Sequence, residues 1–243
     1  MEWFTVASVM TDDLVCGSPG DDFLKLAEHP VWGQLDHIPV RENNRIVSVA
    51  QRDESSTSFT IHPLTGDMLI CATTPIIDLF KVDWKSSPFF IVIDKTKFRG
   101  IVTPSDLNRL PVYSALFARI SRFEDAVLRW LDQKEVTDER FAVLGSDAKT
   151  WRNAYERLIE AGFDSSRIQV LGIREKLTLL QAEHRRVKIL SEEIRAIQEL
   201  RNSVCHQNPL VTSVCEIEEI QATLVIMDEL EKSLDVHCEI SPG

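Results

Sequence analysis

The sequence predicts an α+β chain: an N-terminal half of α/β repeats followed by an all-α helical bundle. Three observations point there. Residues 1–112 alternate short β-like runs with short helical ones in an order that recurs. After Pro111 the apolar residues keep helical spacing throughout. The chain has 243 residues, a length that suggests two ordinary domains, expected at 1–112 and 113–243.

Asp21 to Glu28 reads as a short helix with acidic residues at its start and Pro30 as its stop. Asp36–Val40 and Arg45–Ala50 read as strands around the turn-like Glu42-Asn43-Asn44. The order then returns: Met68–Cys71 as a strand, Pro75–Phe80 as a helix start, and Phe89–Ile93 as a strand. Asp94–Lys97 is the turn, Arg99–Val102 the next strand, and Pro104–Leu110 the opening of a helix. The expected repeat is near 55 residues. His62-Pro63 reads as a turn.

In the second half, Tyr113–Leu131 spaces Leu116, Ile120, Phe123, Val127 and Leu131 at close to the helical period. Lys149–Ala161 is a second helix, stopped by Gly162, and Arg174–Leu180 a short third. Val187–Val204 is the strongest, with Leu190, Ile194, Ile197, Arg201 and Val204 on one face. Cys215–Leu234 is the last, which gives an antiparallel bundle.

Net charge is −11, shared by both halves, so the chain is a poor general nucleic-acid binder and any RNA must meet a local basic patch. The one basic cluster is His184-Arg185-Arg186-Val187-Lys188, which also reads as a solvated turn. Five scattered cysteines (Cys16, Cys71, Cys205, Cys215, Cys238), none in a C-x-x-C pair, predict free thiols in a reducing cytoplasm. No apolar run approaches the roughly 20 residues that span a membrane. The N-terminus Met1-Glu2-Trp3-Phe4 has no basic-then-apolar pattern, so no secretory signal is expected. His29, His37 and His62 lack ligand spacing, no metal site is expected, and Trp3, Trp32, Trp84, Trp130 and Trp151 read as core or interface anchors.

Two motifs carry chemistry. The repeat resembles a tandem pair of CBS modules, on Val6–Thr11, His37-Ile38-Pro39-Val40 and Gly100-Ile101-Val102-Thr103-Pro104-Ser105-Asp106-Leu107. The last segment fits the nucleotide-binding signature of that family. The resemblance implies an adenine nucleotide (AMP, ADP, ATP or a relative) as a regulatory ligand. Asp106 would meet ribose hydroxyls, Thr103 a phosphate, Ile101 the base, and Gly100 opens the loop. A helix start also offers free N–H groups to anions. The equivalent segment of the first module, Ser48–Glu54, has Gln51 and Glu54 at the threonine and aspartate positions, so one site is intact and one degenerate. The alternative is that Thr103 caps the Pro104 helix and Asp106 supports its first turn.

The second motif is Leu200-Arg201-Asn202-Ser203-Val204-Cys205-His206, followed by Asn208-Pro209-Leu210-Val211. Arginine is a fixed planar cation and histidine exchanges protons near neutrality. An ideal helix sets Arg201 and His206 about 140° apart, so a tightened or broken last turn near Cys205 is the expected means of bringing them together. The segment resembles the R-N-x-x-x-H motif of HEPN domains, helical bundles found in many prokaryotic ribonucleases. That implies metal-independent RNA cleavage, with His206 as general base or acid, Arg201 on the phosphoryl oxygens and Asn202 orienting them. It also implies a homodimer with motif facing motif, and a toxin-like role in stress or phage defence. The competing expectation is a non-catalytic, nucleotide-sensing dimer that binds RNA or a protein. The sequence names no RNA target and no antitoxin.

Overall fold

A computed structural model of the chain describes all residues except 1–3, 13–14, 30–32, 44, 54–57, 135–137, 146, 164–165, 185–186 and 236–243. Trp3, Pro30, Trp32, Asn44, Glu54, Arg185, Arg186 and Cys238, each given a place above, lie outside the described residues. The architecture is mixed α+β, with strands in the N-terminal half and long helices in the C-terminal half. Two compact units divide it: residues 1–112 with 211–214, and residues 113–210 with 215–243.

The first unit contains α1 (Phe23–Ala27), β1 (Glu28–His29), β2 (Gly33–Gln34), β3 (His37–Glu42), β4 (Arg45–Arg52), β5 (Phe59–Pro63), β6 (Leu69–Cys71), β7 (Phe90–Asp94) and β8 (Lys97–Val102). Asp22 caps α1 by accepting from the Leu24 and Lys25 amides. Strands β1 and β2 form a small antiparallel ladder; the other six form two sheets ordered β3-β4-β5 and β6-β7-β8.

An internal repeat is plain in the backbone, at 52 residues rather than near 55. The β3–β4 hairpin has an irregularity between Val40 and Arg41, and the β7–β8 hairpin has one between Val92 and Ile93. Asn43 and Lys95, at matching turn positions, both take positive φ (49° and 56°). The last three residues of the pattern in Arg45–Ala50 are buried, as are those in Lys97–Val102. Each hairpin meets a preceding segment in parallel: Gly17 bridges Val40, and β6 pairs with β7.

The repeats then diverge. β4 runs on to Arg52 and pairs with β5, where His62 lies opposite Val49, so His62-Pro63 is strand and not turn. The β-branched Thr60 and Ile61 and the aromatic Phe59 suit an extended backbone, and this signal outweighs the proline, which falls at the strand's last residue. After β8 the chain instead enters a 3-10 turn, Pro104–Asn108. Pro75 likewise precedes a 3-10 turn, Ile76–Phe80, in place of an α-helix. Val49, Phe89, Ile91 and Ile101 form a core drawn from both sheets.

The second unit is helical: most of α2 (Leu110–Gln133), then α3 (Asp138–Phe141), α4 (Asp147–Glu160), α5 (Ile173–Glu183), α6 (Ser191–His206) and α7 (Val214–Asp235). Helix α2 begins three residues before the expected Tyr113. Helix α4 ends ahead of Gly162, whose φ of 81° suits a residue without Cβ. Trp130 and the α2 residues Phe123, Val127 and Leu131 are buried, as are Leu177 and Leu180 of α5 and Ile217, Leu224 and Met227 of α7. Arg119 joins α2 to α7 through Asp228 (2.5 Å) and Glu231 (2.8 Å). No helix among the described residues is long and apolar enough to cross a membrane.

Candidate functional site

Helix α6 carries the R-N-x-x-x-H residues. It starts at Ser191, not Val187: Val187 and Ile189 are buried but non-helical, and the Glu193 carboxylate accepts the Leu190 N–H (2.7 Å) across the first turn. Leu190, expected on the apolar face, lies outside the helix and is exposed. Ile194, Ile197, Leu200 and Val204 form the buried face. The helix stays α through His206, and Gln207, in the left-handed region at φ 53°, ends it by donating to the Ser203 and Val204 carbonyls.

That ending corrects one expectation. No tightened or broken turn draws Arg201 and His206 together; regular α geometry keeps them about 140° apart around the axis. Arg201 sits among the buried positions, but its side chain is 42% exposed and reaches Glu124 of α2 (Nε–Oε1 3.7 Å). Its Nη1 also donates to Asn202 Oδ1 at 3.4 Å, a long contact. Asn202 in turn precedes His206 by four residues, a spacing that places two side chains on one helix face. The motif is therefore arranged as a cation and an amide in contact, with an exposed imidazole one turn beyond the amide.

Glu124 was missed by sequence reasoning. Its signal was available: an arginine among core positions requires a countercharge, and Glu124 flanks the buried Phe123 on α2.

The Gly100–Asp106 segment is arranged differently. Asp106 is buried, and Oδ2 accepts from the Thr103 amide (2.7 Å) and hydroxyl (3.0 Å). Its Oδ1 lies 2.7 Å from Arg109 Nη2. Burial pushes the Asp106 carboxyl above its ordinary value, while the Thr103 amide, Arg109 and the Thr103 hydroxyl pull it back. Arg109 also donates to the Val9 and Met10 carbonyls (2.7 and 3.0 Å) and to Thr11 Oγ1 (2.8 Å). Ile101 is buried in the core and exchanges both backbone hydrogen bonds with Thr11 (2.9 and 3.0 Å). A Cβ on Gly100 would stand 2.4 Å from the Thr11 carbonyl oxygen. Each of the four residues expected to hold a nucleotide thus has a job in docking Val9–Thr11 and capping the 3-10 turn.

No protein-family model matches the chain, and no curated protein and no solved structure matches it. The residues alone therefore carry the functional reading.

A cleft of about 430 Å³ opens between α5 and α6, lined by Arg174, Ser191, Arg195, Gln198, Glu199 and Asn202 among others. Arg195 Nε donates to Glu199 at 2.7 Å. Among the described residues no group of three or more His, Cys, Asp or Glu side chains is placed to share a metal ion.

Proposed function

We propose that the helical unit is a HEPN-type, metal-independent endoribonuclease acting as a cytoplasmic homodimer in stress or phage defence. The observation that carries the reading is the Arg201–Asn202 contact with exposed His206 one turn further on. The substrate 2′-hydroxyl attacks its neighbouring phosphorus, the P–O5′ bond breaks, and a 2′,3′-cyclic phosphate and a 5′-hydroxyl result. An imidazole takes the 2′-hydroxyl proton, and a second proton goes to O5′. Arg201 faces the charge on the non-bridging oxygens. Because about 140° of helix separates Arg201 from His206, one chain is poorly suited to grip one phosphate with both. Two copies related by a twofold axis supply two imidazoles, one as base and one as acid.

The test is cleavage of single-stranded RNA with and without EDTA, repeated with His206→Ala and Arg201→Ala. Cleavage that persists in EDTA and vanishes in both variants is expected. Loss in EDTA, or cleavage that survives His206→Ala, overturns the reading.

Regulation by an adenine nucleotide rests on the Gly100–Asp106 signature, whose polar atoms also serve the fold. AMP, ADP or ATP is expected to shift the melting temperature of wild type and not of Thr103→Val. The separation of Arg201 from His206 favours a second reading, a non-catalytic nucleotide-sensing dimer that binds RNA or protein. Nucleotide binding by calorimetry in a protein that cuts no RNA would establish it.

A further inference from the structure

On α6 the residues Ser191, Arg195, Gln198, Asn202 and His206 recur at spacings of four, three, four and four. At about 100° per residue they fall within one narrow arc, roughly opposite the buried arc of Ile194, Ile197, Leu200 and Val204. The stripe is about 22 Å long. Its first four members line the cleft of about 430 Å³, and Arg174 faces them from α5. The cleft volume lies in the range of about 300–1,000 Å³ typical of ligand sites. Its chemistry is rich in donors: two guanidinium groups, two primary amides and a hydroxyl, against the single carboxylate of Glu199. Glu199 engages Arg195; among the described residues no carboxylate is paired with Arg174.

We propose that this cleft is a phosphodiester track that holds single-stranded RNA along α6 and delivers it to His206. The naming of RNA as the ligand rests on the nuclease reading. The donor-rich cleft itself does not. Arg174 and Arg195 bind backbone phosphates from opposite walls, Gln198 and Asn202 contact sugar or phosphate oxygens, and the strand leaves over the imidazole. This resolves how a chain of net charge −11 meets a polyanion: locally, on one stripe. Glu199 competes for Arg195 and tempers the affinity.

Binding is measured with fluorescently labelled single-stranded RNA on the His206→Ala protein, which retains the track. Arg174→Ala and Arg195→Ala in that background are each expected to weaken binding about tenfold. Each should also lower the slope of log affinity against log salt by about 0.7. Glu199→Gln should tighten binding several-fold, a gain that misfolding cannot imitate. Unchanged affinity and salt slope in the double arginine variant overturn the inference, as does weaker binding by Glu199→Gln or no binding by the parent. Free AMP should compete only weakly; competition per phosphate as strong as that of RNA would make this a mononucleotide site and overturn the RNA track. If wild type cuts no RNA yet binding still depends on both arginines, the nuclease reading fails and the track stands. If wild type cuts RNA and the arginine variants cut and bind as well as their parents, the track fails and the nuclease stands.

Discussion

Removing Arg109 tests whether the Asp106 cluster is the lock that its geometry describes. The carboxylate side chain is only 5% exposed, while Arg109 is 38% exposed and shares its donors among Asp106, Val9, Met10 and Thr11. Arg109→Ala leaves a buried charge without its countercharge. Breaking a buried pair from one side costs about 3–5 kcal/mol, and solvent access to the guanidinium favours the low end, about 3 kcal/mol. For a chain of this size that is a fall in Tm of about 6–12 °C. Asp106→Asn keeps an acceptor for the Thr103 amide and deprives only the partly exposed Arg109 of its countercharge, while Val9, Met10 and Thr11 still accept from it, so its cost is about 1–2 kcal/mol. The two variants also differ in pH dependence. Burial already raises the Asp106 carboxyl, and losing Arg109 raises it further, so the folded state binds that proton more tightly than the unfolded chain. Stability of Arg109→Ala should therefore recover as pH falls from about 7 towards 5, while Asp106→Asn gains nothing there from this group. Melting curves at both pH values decide it. An Arg109→Ala protein no weaker than Asp106→Asn, or one with a deficit that acidification leaves unchanged, refutes the argument.

Gly100→Ala should lose about 1–3 kcal/mol in denaturant unfolding, because its Cβ meets a backbone oxygen of Thr11 that cannot swing aside. Burial holds the His37 imidazole down to about 4, so stability present above the ordinary histidine range should drain as pH drops through it, by at most about 3 kcal/mol. Urea midpoints should show that slope in wild type and not in His37→Phe. Arg119→Ala should cost about 2–3 kcal/mol in the same assay, because its side chain is 13% exposed and it answers both Asp228 and Glu231.

The helices were legible because their apolar spacing is long and regular: Phe123, Val127 and Leu131 are all buried, as are Ile217, Leu224 and Met227. The hairpins were legible because Asn43 and the Asp94–Lys97 turn interrupt β-branched runs. Strand β5 was not, since His62-Pro63 read as a turn and the pairing to β4 that makes it a strand is non-local. The start of α6 was misplaced because Val187 and Ile189 are buried by tertiary packing in a non-helical segment that still has apolar residues at plausible spacing. At the candidate site the motif was visible but its geometry was not. Whether the last turn of α6 would stay regular depended on Gln207 taking a left-handed conformation, which a glutamine side chain does not advertise.

The Gly100–Asp106 segment shows why a short loop signature admits two readings. A carboxylate offers about four lone-pair positions. The Thr103 amide, the Thr103 hydroxyl and Arg109 take three at Asp106. A ribose diol seeks two acceptors, so a nucleotide bound there in the expected manner must dislodge Thr103 or Arg109. Thr103 holds the turn that opens the Pro104 segment, and Arg109 holds three groups of Val9–Thr11. The ligand is then bought at the expense of the fold's own contacts, and its apparent affinity is lowered by whatever those contacts are worth. A nucleotide that displaces Arg109 would by the same exchange loosen Val9–Thr11, whereas one that displaces Thr103 would loosen the Pro104 turn and leave that segment fastened.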